Sequence, residues 1–260
     1  MTDTSADGPI IRLLPGADTD SSAGTDAGPD DERILSWYAV PDRTVPWTRI
    51  NFVASVDGSA THGGLSAGLG SSADKRVFDL LRRLCDVVVV GAGTVRDEGY
   101  GPMRLEPDAV AWRVEHDLAP HPVFAIVSGG LKLNPGSRIF TQAPVRPLVI
   151  TSSAAPSDRR DALAAVADVL VCGAEHVDTV AMVDALVARG LPQILSEGGP
   201  RLFGSMVADG TVDELCLTIS PLLEGGVGGR IIAGDQSLSE RLKLQQVLTA
   251  GDSLILRYTR

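Results

Sequence analysis

A run of four valines at positions 87–90 breaks into Gly91-Ala92-Gly93 and then the hydroxyl of Thr94. β-Branched residues bounded by glycine predict a buried strand, and the glycines allow the backbone to approach a ligand closely. A helix beginning near Thr94 would present free N–H groups, which favour an anion. The pattern is typical of a nucleotide-phosphate turn, but Arg96 stands where the third glycine of G-x-G-x-x-G belongs. A strand-to-helix turn with small residues for packing alone is the alternative.

Two further strand ends carry side chains that could take part in binding or catalysis. The turn Glu197-Gly198-Gly199-Pro200 follows the short apolar run 193–195, and Pro200 suits the first turn of a helix. Two anion-binding turns in one sheet favour a single pyrophosphate ligand. Asp57 ends the apolar run 49–56, at the strand end where open α/β sheets bind ligands. Asp57 is therefore a candidate site residue, with an ordinary Asp-Gly turn as the alternative.

The elements that must position these turns alternate along the chain. Apolar runs predict strands, and amphipathic segments capped by Ser, Gly or Pro predict helices. This alternation predicts a parallel sheet with right-handed crossovers, and Gly251-Asp252 predicts a hairpin near the C-terminus. The predicted strands cover 49–55, 87–90, 123–128, 147–153, 169–172, 193–195, 213–221 and 242–257, and the predicted helices cover 72–85, 109–116, 157–167 and 177–188.

Composition limits the class of protein. The 260 residues are 44% apolar and 22% charged, which is ordinary for a globular protein, and the net charge of −10 disfavours nucleic acid as a partner. We find no apolar run of roughly 20 residues and no signal-peptide pattern, so we expect a cytoplasmic protein that does not enter a membrane. The three separated cysteines, Cys85, Cys172 and Cys216, form no metal-ligand motif. We expect residues 1–32 to be a disordered acidic tail and 33–260 to be one domain.

Four separated motifs, in this order, resemble the reductase domain of bacterial riboflavin biosynthesis. They are 51–58 (NFVASVDG), 91–95 (GAGTV), 197–200 (EGGP), and 213–215 (DEL) with 220–221 (SP). The resemblance covers about residues 48–258. It implies a dihydrofolate-reductase-like fold, in which helices flank a mostly parallel central sheet that ends in C-terminal antiparallel strands. It also implies a homodimer formed through the sheet.

The resemblance implies an NADPH-dependent reaction. The ribosyl group of 5-amino-6-(5-phosphoribosylamino)uracil is reduced to ribityl by hydride transfer from the nicotinamide, so that the enzyme mainly positions its two ligands. Asp57 and Glu197 are then the expected catalytic carboxylates, and Asn51, Arg82 and Arg104 the expected substrate-binding residues. The expected cofactor-binding residues are Ala54, Gly91, Gly93, Thr94, Glu98, Ser128, Gly198, Gly199, Pro200, Arg201 and Leu202.

One position departs from the family pattern. Riboflavin reductases typically carry Lys six residues before the Asp of this motif, whereas this chain has Asn51. Asparagine keeps hydrogen bonding but cannot supply a charge or transfer a proton as lysine does. Reduction of a pteridine such as dihydrofolate is therefore the alternative activity. A protein that binds NADPH without turnover is the alternative from another class.

Overall fold

The computed structural model describes residues 8–14, 28–234 and 239–260. Within them, ten strands form one sheet in the order β1-β9-β10-β8-β2-β7-β3-β4-β5-β6. The strands are β1 (Ile10–Leu14), β2 (Trp47–Ser55), β3 (Val87–Gly91), β4 (Val123–Val127), β5 (Leu148–Thr151), β6 (Asp168–Val171), β7 (Gln193–Ser196), β8 (Glu214–Ser220), β9 (Lys243–Ala250) and β10 (Ser253–Thr259).

The predicted architecture is confirmed. Strands β8, β2, β7, β3, β4, β5 and β6 run parallel, while β9 and β10 form the antiparallel C-terminal hairpin across the turn at Gly251. The helices that connect and flank the strands are α1 (Asp31–Tyr38), α2 (Ser72–Leu84), α3 (Ala92–Asp97), α4 (Pro107–Glu115), α5 (Arg138–Thr141), α6 (Ser157–Ala164), α7 (Thr179–Val187) and α8 (Pro200–Ala208). None of the described helices has the length and apolar character that a bilayer crossing requires.

The central strand β3 explains why four consecutive valines are needed. Successive strand side chains point to opposite faces, and all four valines are fully buried. Val88 and Val90 belong to the apolar cluster that includes α1 and α2, whereas Val87 and Val89 belong to the cluster that includes α7 and α8. Helices therefore cover both faces of β3, and the glycine turn that follows it is held on a rigid support.

Two local expectations require correction. The expected disordered tail over residues 1–32 contains β1, which pairs antiparallel with β9 and buries Ile10, and its last residues open α1 at Asp31. The apolar patch of β1 is stabilised by a long-range strand partner that local composition does not reveal. The remaining residues of that expected tail, 1–7 and 15–27, lie outside the described residues. We expected Ser72 to cap α2, but the N-cap is Ser71, whose hydroxyl accepts from the Asp74 backbone N–H at 3.2 Å, and Ser72 is the first residue of the helix.

A buried ionic network joins the parallel and antiparallel parts of the sheet. The Glu214 carboxylate on β8 accepts from Arg49 Nε on β2 at 2.6 Å, from Arg257 Nη2 on β10 at 2.9 Å and from Trp47 Nε1 at 3.0 Å. The Glu214 side chain is fully buried. Although burial raises the pKa of Glu214, Arg49 and Arg257 lower it to about 2, so the group is a carboxylate.

Candidate active site

Two cavities meet at the carboxyl edge of the parallel strands. The first, here called the α2 cavity, has a volume of about 640 Å³ and lies between β2, α2 and the loop 98–104. The second, here called the glycine-turn cavity, has a volume of about 960 Å³ and lies between the two glycine turns and the end of β4. Thr94, Gly199 and Pro200 line both cavities. Ligands in the two cavities would therefore meet beside these three residues.

The glycine-turn cavity contains most of the expected cofactor-binding residues. Its polar lining includes the exposed cations Arg96, Lys132, Arg201 and Arg230, and the first turn of α8 opens onto it. Gly199 is the N-cap of α8 and supplies no side-chain cap, so the helix leaves N–H groups available to a ligand. The expected residues that line this cavity are Gly91, Gly93, Thr94, Ser128, Gly199, Pro200, Arg201 and Leu202.

The two glycine turns contact each other closely, and this contact explains their composition. The Gly91 N–H donates to the Gly198 carbonyl at 2.7 Å, and the Gly198–Gly199 peptide bond is cis. A Cβ at Gly199 would lie 2.3 Å from Thr94 Oγ1, and a Cβ at Gly198 would lie 2.6 Å from the Phe52 ring. Gly198 also has a φ of +81°, a conformation that glycine tolerates best. Glycine is thus required here by space as well as by conformation.

Helix α2 presents a row of chemically different side chains to the α2 cavity. Asp74, Phe78 and Arg82 follow one another at four-residue spacing, which places them on one helix face about one turn apart. The adjoining face carries Val77, Leu81 and other buried residues of the core. One amphipathic helix therefore holds the core together and also lines the cavity with a carboxyl, an aromatic ring and a guanidinium.

Arg82 and Glu197 are the central charged pair of the α2 cavity. Arg82 Nε donates to Glu197 Oε1 at 2.6 Å and Arg82 Nη2 donates to Glu197 Oε2 at 2.8 Å. The Tyr100 hydroxyl donates to the same Oε2 at 2.8 Å, and the Arg82 guanidinium lies 4.3 Å from the Phe78 ring centroid. Burial and the Glu197 charge raise the pKa of Tyr100, so its hydroxyl stays protonated. Burial lowers the pKa of Arg82, but Glu197 raises it further, so Arg82 stays charged.

The other expected residues of this cavity lie around the pair. Asn51 lines it from β2, and Arg104 lines it from the loop before α4, where its Nη2 donates to the Gln142 carbonyl at 3.2 Å. Glu98, at the end of α3, accepts from the Ser66 N–H at 2.7 Å. This bond fastens the glycine-rich segment 61–72 over the cavity. Glu98, which we expected to bind the cofactor, therefore lines the α2 cavity rather than the glycine-turn cavity, where most of the expected cofactor-binding residues lie.

The structure does not bring Asp57 into either cavity. Its Oδ1 accepts from the Glu224 N–H at 3.1 Å and from the Ser55 hydroxyl, and its Oδ2 accepts from the Gly225 N–H at 2.7 Å. The Ser55 hydrogen bond and the two backbone donors lower the pKa of Asp57 to about 2. The alternative interpretation, an Asp-Gly turn without a role in ligand binding, is therefore favoured for Asp57, because its carboxylate anchors the segment 221–234. Of the other expected residues, Ala54 is buried and Gly198 supports the turn, and neither lines a cavity.

Sequence reasoning missed four residues that line the α2 cavity or close it. These are Phe52, Asp74, Phe78 and Tyr100. The spacing of Asp74, Phe78 and Arg82 was a signal available in the sequence, since it marks a second face of α2 that adjoins the apolar one. Tyr100 carried no comparable signal, because its contact with Glu197 spans 97 positions of the chain.

A mostly parallel α/β sheet with two cavities that meet at its carboxyl edge is the architecture of an enzyme that brings two small molecules together. Within that class, the chain belongs to the RibD C-terminal domain family, whose model matches residues 46–256. The family expected from the sequence motifs is therefore confirmed.

The sequences of named relatives align with most of the chain. A protein of Methanothermobacter thermautotrophicus, named 2,5-diamino-6-ribosylamino-4(3H)-pyrimidinone 5′-phosphate reductase, is 29% identical over 220 residues, which are 82% of this chain and 98% of that protein. The riboflavin biosynthesis protein RibD of Bacillus amyloliquefaciens is 26% identical over 219 residues, 82% of this chain and 57% of that protein. The first of these relatives is named as a pyrimidinone phosphate reductase, and the second is named as a riboflavin biosynthesis protein.

Solved structures agree with the sheet topology. A pyrimidine reductase-like protein from Corynebacterium diphtheriae superimposes with a TM-score of 0.80 at 31% identity, covering 89% of this chain and 98% of that chain. The riboflavin biosynthesis reductase Rib7 of Saccharomyces cerevisiae superimposes with a TM-score of 0.65 at 17% identity, covering 88% and 99%. The second likeness, at this identity, concerns the fold alone.

Proposed function

We propose that this protein is an NADPH-dependent reductase of a 6-ribosylaminopyrimidine 5′-phosphate and converts the ribosyl group to ribityl. The observation that carries the proposal is the meeting of two cavities at Thr94, Gly199 and Pro200, one with the features of a nucleotide site and one lined by a buried Arg-Glu pair. When bound, NADPH would supply a hydride from C4 of its nicotinamide ring to C1′ of the ring-opened imine form of the sugar, so that the C1′=N double bond becomes a single bond and the nitrogen takes up a proton.

The glycine-turn cavity fits the cofactor on three counts. A side chain at Gly199 would collide with Thr94, so bare backbone faces the ligand there. The first turn of α8 offers N–H groups to a pyrophosphate, and the surrounding cations compensate negative charge. Ser128, at the end of β4, is the residue that we assign to the adenosine side. Arg201 and Leu202 follow Pro200 in the same helical turn and complete the phosphate site.

The α2 cavity is the proposed substrate site. Arg82 and Glu197 hold each other in one geometry, and Tyr100 adds a protonated hydroxyl beside them. Groups fixed in this way position the sugar for hydride transfer without having to reorganise. Arg104 is the group that we assign to the 5′-phosphate, because a guanidinium fork suits phosphate oxygens. Asn51 lies on β2, which lines one side of this cavity, and supplies a neutral hydrogen-bonding side chain there.

We also propose a homodimer, formed through the antiparallel end of the sheet. Ile11 on β1 and Leu254 on β10 both pair with Thr249 on β9, so the three residues form a row across these strands. Ile11 is 51% exposed and Leu254 is 40% exposed, and the neighbouring Leu13 is also exposed. A second copy would cover this apolar row. Light scattering of the purified protein tests the dimer directly.

The decisive experiment is NADPH oxidation followed by absorbance. The full-length protein is mixed with NADPH and with a ribosylaminopyrimidine phosphate or dihydrofolate, and NADH replaces NADPH in a parallel series. We expect oxidation with the ribosylaminopyrimidine phosphate and NADPH. Oxidation with dihydrofolate alone would assign the protein to pteridine reduction. If NADPH binds but is not oxidised with either substrate, the result would support a protein that binds NADPH without turnover.

A further inference from the structure

The α2 cavity contains a carboxyl group that the Arg82–Glu197 pair does not use. Asp74 lies in the first turn of α2, one turn before Phe78, and lines the cavity. Burial raises the pKa of Asp74, and a hydrogen bond from the Thr218 hydroxyl opposes this shift. The Asp74 carboxyl group thus faces a neutral hydroxyl on β8 rather than a cation. A buried carboxyl group with a neutral hydroxyl partner is stabilised when a bound ligand donates further hydrogen bonds to it.

The surrounding backbone leaves room for this carboxyl group. A Cβ at Gly70 would lie 2.9 Å from Asp74 Oδ2, which is closer than real Cβ atoms approach. The Asp74 carboxyl group therefore lies directly against the backbone of Gly70. Gly70 also lines the α2 cavity. The Asp74 carboxyl group therefore lies at the cavity, next to the segment that covers it.

The other two carboxylates of the cavity already have donors. Glu197 accepts three hydrogen bonds, two from Arg82 and one from Tyr100. Glu98 accepts from the Ser66 backbone N–H. Asp74 is therefore the carboxyl group best placed to accept from a bound ligand, and the Phe78 ring one turn along α2 provides a surface on which a flat heterocycle can stack.

We propose that Asp74 selects the pyrimidine ring by accepting from two adjacent donors, the ring N3–H and the 2-amino group of a 2-aminopyrimidin-4-one. The preferred substrate is then the 2,5-diamino-6-ribosylamino-4(3H)-pyrimidinone 5′-phosphate rather than its uracil counterpart. This inference rests on the proposed reductase function. The uracil form carries a carbonyl oxygen at C2 in place of the amino group. This oxygen would face one carboxylate oxygen of Asp74, and neither of these two acceptors would have a donor.

The test compares kcat/KM for the two pyrimidine phosphates with NADPH, in the full-length protein and in Asp74→Asn. We expect the unchanged protein to prefer the diamino form by about tenfold or more, since a correct two-point contact to a base edge discriminates by this amount. In Asp74→Asn the carboxamide offers one acceptor and one donor, which match N3–H and the C2 carbonyl of the uracil form. The ratio of the two kcat/KM values should therefore fall at least about tenfold or invert.

Asp161→Asn is the control, because Asp161 is an exposed carboxylate on α6 and lines neither cavity. Its ratio should stay that of the unchanged protein. Oxidation of NADPH with an equal or reversed preference in the unchanged protein, or an unaltered ratio in Asp74→Asn, would overturn the role of Asp74 and leave the proposed reduction standing. The absence of oxidation with both pyrimidine phosphates would overturn the reduction itself and this inference with it.

Discussion

Arg82 and Glu197 form a two-point ion pair that joins α2 to the turn after β7, with nitrogen–oxygen distances of 2.6 and 2.8 Å. The Glu197 side chain is 1% exposed and the Arg82 side chain 19% exposed, so water screens the pair little. The helix that closes one cavity and the glycine turn that borders both are therefore fixed relative to each other by one contact. Substitution of Arg82 or Glu197 should therefore lower catalytic activity more than it lowers the stability of the fold.

Removing the charge of Glu197 should abolish most of the activity. In Glu197→Gln the Arg82 guanidinium loses its partner within the cavity, and the loss of one member of a buried charge pair costs about 2–5 kcal/mol. We expect kcat/KM to fall by about 30-fold or more. Tyr100→Phe removes one hydrogen bond and should give a smaller loss. Steady-state kinetics with NADPH and the pyrimidine phosphate measures both variants, and near-normal activity of Glu197→Gln would contradict the assignment.

A methyl group at Gly199 should weaken cofactor binding. The new Cβ would lie 2.3 Å from Thr94 Oγ1, so the Thr94 side chain must rotate, or the second glycine turn or α3 must shift, and Thr94 lines both cavities. We expect the Kd for NADPH, measured by fluorescence titration, to rise about tenfold or more. Gly136→Ala is the comparison, because Gly136 lines neither cavity and a Cβ there meets only the Asn134 side chain at 3.4 Å. Equal affinities of the two alanine variants would show that the close contact between the turns is unimportant.

Asp57→Ala should raise the KM for NADPH with a smaller effect on kcat. The change removes both acceptors of the Glu224 and Gly225 N–H groups, and the segment that they hold carries Gly229 and Arg230 into the glycine-turn cavity. A predominant fall in kcat would instead return Asp57 to a direct catalytic role. The pKa of about 2, below the usual 3.8, also means that this anchor is fully formed above about pH 4 and is lost only as the pH falls towards 2.

Glu214→Gln should destabilise the fold rather than alter the site. The substitution leaves Arg49 and Arg257 buried against a neutral side chain, and breaking a buried pair in this way costs about 3–5 kcal/mol. Because the pKa of Glu214 is lowered from 4.5 to about 2, its stabilising effect is complete above pH 4.5 and is lost as the pH falls through 2.

Chemical denaturation at neutral pH measures the loss of stability in Glu214→Gln. Asp79→Asn breaks only the exposed pair with Lys75 and should change the free energy of unfolding by less than about 1 kcal/mol. A Glu214→Gln variant as stable as Asp79→Asn would contradict the role assigned to the buried network.

Much of the fold was predictable because its signals are local. The four valines of β3, the Ser-capped α2 and the proline at the start of α8 each determine an element within a few residues. The strand β1 was not predictable in this way, since its five residues are held by β9 more than 230 positions later in the chain. Local composition favoured disorder, and the distant strand partner outweighed it.

The sequence by itself determined the alternating α/β plan, the two glycine turns and the family, because periodicity, turn chemistry and motifs are properties of neighbouring residues. Only the tertiary structure decided which polar groups share a cavity. It brought Glu197 to Arg82 across 115 positions and to Tyr100 across 97, and it directed Asp57 away from both cavities to hold the segment 221–234. Whether a carboxylate at a strand end meets a ligand or a backbone N–H depends on which distant segment crosses that strand end, and local sequence does not encode that crossing.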